Sequence, residues 1–227
     1  PTRSLAQQAG MAYETYQDFV YDAILRDWVA LADEMARLKT VFDDGQTVRI
    51  DGPNTDLQLS IADRTAVNSA ASVAYDSHNL PSGEVFTAPA DAEGTVQFDV
   101  PMTVDGSPIR NARFTIENNT VVDYAAEQGE AVLADILDTD DGARKLGELG
   151  VGMNRCIDRV TDRILFDEKM AETIHLAVGR AYDACLPGDE SGNDSAVHVD
   201  LLAAMSDDSR LSVDGETIQR DGTFPVP

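Results

Sequence analysis

The chain has 227 residues, 43% of them hydrophobic, which is enough for one large domain or two small ones around an ordinary core. Its 41 acids against 17 bases give a net charge of −24, with acids in every segment and no basic patch to neutralise phosphates, which excludes nucleic acid as a partner. No apolar run reaches membrane-spanning length and the first ten residues lack a signal peptide's apolar core, so no membrane partner and a cytoplasmic location are expected. Cys156 and Cys185 lack metal-finger spacing and are expected to be free thiols.

In chain order, Tyr13 to Phe42 reads as one long helix. Val20, Ile24, Trp28, Leu31, Met35, Leu38 and Phe42 fall on one apolar stripe, with Asp22, Arg26, Asp33 and Arg37 off it. Asp43-Asp44-Gly45 stops that helix. Alternation then predicts strands through Val48 and Ile50 and through Leu57, Leu59 and Ile61. Residues 63 to 82 are small and polar and are expected to loop near a site, with Glu84 heading the short β-prone run EVFTAP. Gly94 to Pro101 and Arg113 to Tyr124 read as antiparallel strands, the latter a hairpin turning at Asn118-Asn119. Helix is expected from Ala125 to Leu137, followed by a short helix from the Asp138–Asp141 cluster through Leu146. Glu148, between Gly147 and Gly150, is expected in a turn. The segment from 174 to 184 reads as helix, residues 186 to 195 as an exposed loop, and the last stretch, with two Asp-Gly pairs, as a hairpin. The fold class expected is α+β: a mixed, largely antiparallel sheet with flanking helices.

Chemistry concentrates between Asp167 and Asp200. Two of the three histidines, His175 and His198, fall there beside acids. On a helix, His175 and Tyr182 would be two turns apart on one face. His198 and Asp200, two apart between apolar neighbours, would point the same way on a strand. Together Glu84, Glu148, Glu168 and Asp200 with His175 and His198 make a mixed oxygen and nitrogen ligand set that suits zinc, cobalt or manganese. Several carboxylates with few histidines favour two ions over one, because a carboxylate can bridge them. Each residue also has a plainer reading: Glu84 as a strand-end surface acid, Glu148 as an exposed turn acid, Tyr182 as a core tyrosine. Three functions stay open at this level: a metal-dependent hydrolase, a metal-binding domain without activity, and an acidic binding module.

The segments NLPSGEVFTAP, LDTDDGARKLGELGVGMN, ILFDEKMAETIHLAVGRAY and NDSAVHVDLL, in this order, resemble the thermophilic-type metalloaminopeptidase family typified by aminopeptidase T and aminopeptidase S. The likeness runs over nearly the whole chain. It implies an exopeptidase that removes N-terminal residues from peptides through two divalent metal ions, usually as a homodimer. The family's ligands fall on Glu84, Glu148, Glu168, His175, His198 and Asp200. Tyr182 and Glu148 are implied as catalytic, Tyr182 as donor to an oxyanion, while which glutamate bridges and which acts as base stays open. Residues 1–227 would form the catalytic domain, a fragment or truncated member lacking the family's N-terminal domain. Two departures stand out. Ala171-Glu172 replace the paired glycines of relatives with the DEK form, which would put a glutamate beside the metal site, and Val199 replaces their tryptophan.

Scattered acid with only three lysines is the surface of a protein from a halophile, where a Debye length of about 3 Å at 1 M salt screens self-repulsion. Thermal melts followed by circular dichroism should therefore rise with potassium chloride from low to molar concentration; equal stability at both ends would refute the halophilic reading.

Overall fold

The computed structural model describes residues 1–206 and 208–224. Three helices open the chain: α1 (Arg3–Gln8), α2 (Tyr13–Ile24) and α3 (Trp28–Asp44). Nine strands follow: β1 (Thr47–Gly52), β2 (Thr55–Ser60), β3 (Val67–Ser69), β4 (Glu84–Thr87), β5 (Asp91–Phe98), β6 (Met102–Val104), β7 (Ser107–Ile109), β8 (Ala112–Glu117) and β9 (Thr120–Ala125). The remainder is α4 (Glu130–Leu137), β10 (Leu146–Gly152), α5 (Ile164–Asp167), β11 (Thr173–Gly179), β12 (His198–Ala204), β13 (Arg210–Val213) and β14 (Glu216–Arg220). No helix among the described residues is long and apolar enough to cross a membrane.

The strands form a seven-stranded sheet, ordered β14-β13-β1-β2-β5-β8-β9, and a five-stranded sheet, ordered β12-β11-β10-β4-β3, while β6 and β7 pair with each other. Every strand pairing in both is antiparallel, so the expected α+β class with antiparallel sheet holds. The two sheets and α3 contribute to one core. Leu31, Met35, Leu38 and Phe42 from the helix meet Ile50, Leu57, Leu59 and Phe98 from the larger sheet and Val85, Leu149, Ile174 and Leu176 from the smaller. Burying that apolar surface, at about 25 cal/mol per Å², is the main force holding the two sheets together.

Where the sequence and the structure part, the reasons are local. The single helix expected from Tyr13 to Phe42 is two, broken at residues 25–27. Asp27 caps the second helix by accepting from the Ala30 amide at 3.0 Å, an alternative to continuing the first. The apolar stripe divides at the break: Val20 and Ile24 pack on one cluster and Trp28 to Phe42 on another, with Trp28 Nε1 donating to the Ile24 carbonyl at 3.1 Å across it. The helix expected from Ala125 begins only at Glu130, because Gly129, at φ 84°, turns the chain after Arg110 pairs with Gln128. No helix forms from Asp138 to Leu146: turns lead straight into β10, which removes Glu148 from a turn and sets it inside a strand. The segment expected as helix from 174 to 184 is β11 with a short 3₁₀ turn, Asp183–Cys185, behind it. Its run TIHLAVG is buried on both faces, and a continuous apolar run carries no period to separate strand from helix. The two Asp-Gly pairs behave as expected, Asp214-Gly215 joining β13 to β14 with both residues at positive φ. Both cysteines are free thiols, as expected.

Replacing Asp27 by alanine should lower stability by about 1 kcal/mol and by asparagine far less, because only alanine lacks the capping oxygen. Urea unfolding of the two variants checks this; equal losses would show that the cap does not set the break.

Candidate metal centre

The five-stranded sheet has two different faces. Register makes Glu84 the partner of Gly152, Gly150 the partner of both Phe86 and His175, Ala177 the partner of both Glu148 and Asp200, and Gly179 the partner of His198. Cross-strand partners share a face, as do alternate residues along a strand. Glu84, Glu148, His175, His198 and Asp200 therefore project from one face, while Val85, Leu149, Ile174, Leu176 and Leu201 between them point into the core. Glycine and alanine at 150, 152, 177 and 179 keep the space among the acids open. The glycines that suggest a turn around Glu148 in the sequence are strand residues where another group comes close. A Cβ on Gly150 would overlap the His175 imidazole, and one on Gly147 would strike the Arg180 carbonyl.

The side chains converge in two groups that share one residue. Glu84, Glu148 and His175 form the first, and Glu148, His198 and Asp200 the second, each with its ligand atoms within 4.8 Å of one another. His175 Nε2 lies 3.1 Å from Glu148 Oε1 and 3.5 Å from Glu84 Oε2. His198 Nε2 lies 3.7 Å from both Glu148 Oε2 and Asp200 Oδ1. The other nitrogen of His198, Nδ1, donates to the Arg180 carbonyl at 2.8 Å, which turns Nε2 toward the acids, the arrangement found in metal-binding histidines. Glu84 Oε2, Glu148 Oε2 and Asp200 Oδ1 are buried without a hydrogen-bond partner among the described residues. Orphaned carboxylate oxygens aimed at one point cost free energy unless a cation completes them, so the residues present fit divalent metal.

The electrostatics follow from this crowding. Burial pushes the Glu148 carboxyl up, and Asp200 and Glu84 push it further, against the hydrogen bond from His175. Burial by itself would depress His175, but its bond to Glu148 and the charges of Glu84 and Asp200 raise it. The Tyr182 hydroxyl is pushed up to about 12, first by burial and then by Glu148, Asp200 and Glu84, so it stays a proton donor at neutral pH. Tyr182 is not a core tyrosine: it is 46% exposed, and its ring lies 4.8 Å from the His198 ring and 5.8 Å from Phe86. It reaches the acids from a loop after β11, not from the helix face expected. Glu168 also lines the cavity, of about 210 Å³, but stands outside both three-residue groups. The segment between β3 and β4 supplies Tyr75, Asp76, Ser77, His78 and Asn79 to the cavity wall, as its expected place near a site requires. Glu172, expected beside the metals, does not line the cavity; at φ 66° it occupies a left-handed position that favours glycine. Val199 packs on the core, away from the acids. Sequence reasoning missed Lys169, which is fully buried with Nζ 3.2 Å from Glu84 Oε1 and paired with Glu168. Its only sequence signal is being one of three lysines and directly following Asp167-Glu168.

Comparison with known proteins gives this arrangement a class. The chain belongs to the thermophilic metalloprotease (M29) family, whose pattern it matches over residues 1–224. It is 38% identical to aminopeptidase 2 of Geobacillus stearothermophilus over 160 residues, 63% of this chain and 37% of that protein. It is 36% identical to aminopeptidase T of Thermus thermophilus over 190 residues, 76% of this chain and 45% of the relative. The solved structure of wild-type AmpT from Thermus thermophilus superposes with a TM-score of 0.78 at 30% identity, covering 92% of this chain and 58% of that one. The chain thus spans less than half the length of the two curated relatives.

Gly150→Ala tests whether the sheet was opened for His175. The added methyl should cost about 1–3 kcal/mol by overpacking and displace the imidazole, weakening zinc binding about tenfold or more. Gly52→Ala, where the nearest atoms lie at 3.7 and 3.9 Å, should change neither. Isothermal titration of chelator-treated protein with zinc decides, and wild-type affinity in Gly150→Ala would show that the ring is not held by this contact.

Proposed function

We propose that this chain carries the catalytic site of a metal-dependent aminopeptidase, which hydrolyses the first peptide bond of substrates with a free N-terminus. The observation that carries the reading is the pair of three-residue groups sharing Glu148, with unbonded oxygens facing inward. Glu84, Glu148 and His175 would hold one divalent ion and Glu148, His198 and Asp200 a second, zinc, cobalt or manganese by donor type. When bound, the ions supply Lewis acidity and a water of lowered pKa.

The remaining work falls to side chains of the chain itself. Glu148 has an oxygen toward each histidine and serves as the shared ligand, its catalytic part being to hold the two halves of the site together. Glu168 lines the cavity beside the two groups without belonging to either, and is the acceptor proposed for the proton of the attacking water. Tyr182, protonated and at the mouth of the cavity, donates to the oxyanion that forms on the scissile carbonyl. The clustered acids attract the substrate's α-ammonium and disfavour a carboxylate entering the same space. Free thiols at Cys156 and Cys185 suit a reducing cytoplasm, and assembly as a homodimer follows the family resemblance.

A second reading is favoured by one fact, the coverage of less than half of aminopeptidase 2 and of aminopeptidase T: the chain binds metal without turnover until the rest of such a protein is present. Metal content and activity separate the readings. Elemental analysis after dialysis should find about two ions per chain, and leucyl-p-nitroanilide should be hydrolysed. His175→Ala and Glu148→Gln should fold, retain little metal and lose at least about a hundredfold in activity. Bound metal with no turnover would select the second reading. Less than half an equivalent of metal on a folded protein, or wild-type activity in either variant, would sink the first.

A further inference from the structure

Lys169 is a buried cation in contact with two acids of the cavity, and neither ligand group uses it. Its backbone is fixed on both sides, the carbonyl accepting from the Asn154 amide at 2.9 Å and the amide donating to the Phe166 carbonyl at 3.0 Å. This carries the side chain, 0% exposed, beneath the acids, where Nζ lies 3.2 Å from Glu84 Oε1 and in contact with Glu168 Oε1. The other oxygen of Glu84, Oε2, faces His175 Nε2 at 3.5 Å and is otherwise unpartnered. The two oxygens of one carboxylate are thus assigned different neighbours. A compact ammonium on a flexible stem can sit between two carboxylates in a space that a planar guanidinium would not fit.

The need for such a cation follows from the charge count. Glu84, Glu148, Glu168 and Asp200 line one cavity, and like charges in a weakly screened interior repel strongly. We infer that Lys169 is a positioning residue: an internal cation that ties up Glu84 Oε1 and Glu168 Oε1, so that Glu84 presents the single oxygen Oε2 to its ligand group, Glu168 keeps its other oxygen free, and the acidic cluster keeps its shape before metal binds. This rests on the reading of Glu84 as a ligand, while the role of Lys169 in the metal-free protein does not.

Lys169→Met keeps the stem and removes the charge. After chelation, this variant of the full chain should melt about 10 °C or more below chelated wild type, because a buried carboxylate, Glu84, and a half-buried one, Glu168, lose their partner. Excess zinc chloride should return most of that loss by supplying positive charge to the same cavity. Adding Glu84→Gln to Lys169→Met should also recover much of the chelated stability, since it removes one of the stranded charges. A lysine that merely fills space gives the opposite pattern, with equal losses with and without zinc and no recovery in the paired variant, and that pattern would overturn the inference. Where Lys169→Met fails to fold without zinc, the chelated paired variant decides: folding supports the role and failure overturns it. If wild type itself does not respond to zinc, the aminopeptidase reading falls, and the chelated comparison of single and paired variants still judges Lys169.

Discussion

Like charges held side by side out of water set the terms for this molecule. Glu84, Glu148, Glu168 and Asp200 line one cavity with His198, His175 contacts two of these acids, and Glu84 and Asp200 raise the cost of ionising Glu148. A loop could not hold such a cluster, because repulsion would spread it. An antiparallel sheet can, since its ladder fixes the backbone from which Glu84, Glu148 and Asp200 project. The small residues between them, Gly150, Gly152, Ala177 and Gly179, are what the other side chains require in order to meet.

The opposite face of the same strands explains how the sheet bears this load. Leu149, Ile174, Leu176 and Leu201 alternate with the functional residues and join the core shared with the larger sheet. The hydrophobic free energy gained on one side offsets the electrostatic cost stored on the other. A strand buried on both sides for two different reasons looks uniformly apolar, which is why β11 conceals its histidine in a run of small and aliphatic residues.

This also decides what could be read from the sequence. The alternating strands around Ile50, Leu59 and Phe114 were legible because one side of each is apolar and the other is not. His198 and Asp200 were legible for the same reason, two apart on a strand. The ligand residues could be named from residue type and order, but not the way they meet. Tyr182 and His175 do not share a helix face; the chain turns after Gly179 and sets the Tyr182 ring beside His198 instead. Glu148 is not in a turn, because glycine in this chain marks close approach as often as it marks a bend. Lys169 could not have been found, since nothing in a sequence separates a buried lysine from a solvated one. The break at Asp27 was missed because the apolar spacing in the sequence runs on across it.

The place of each group in the strand order has a consequence for how the site opens. β10 and β11 are interior strands, hydrogen-bonded on both sides, whereas β12 lies at the end of the five-stranded order. Local opening begins at edges and ends of sheets and reaches interior strands only with the whole domain. His198 and Asp200 therefore belong to a segment that can fray, and Glu148 and His175 to one that cannot. In hydrogen-exchange terms, the amides around Gly150 and Leu176 should report global unfolding, and those around Val199 a smaller, separate opening. The two halves of the cavity, though they share a glutamate, are anchored with unequal rigidity.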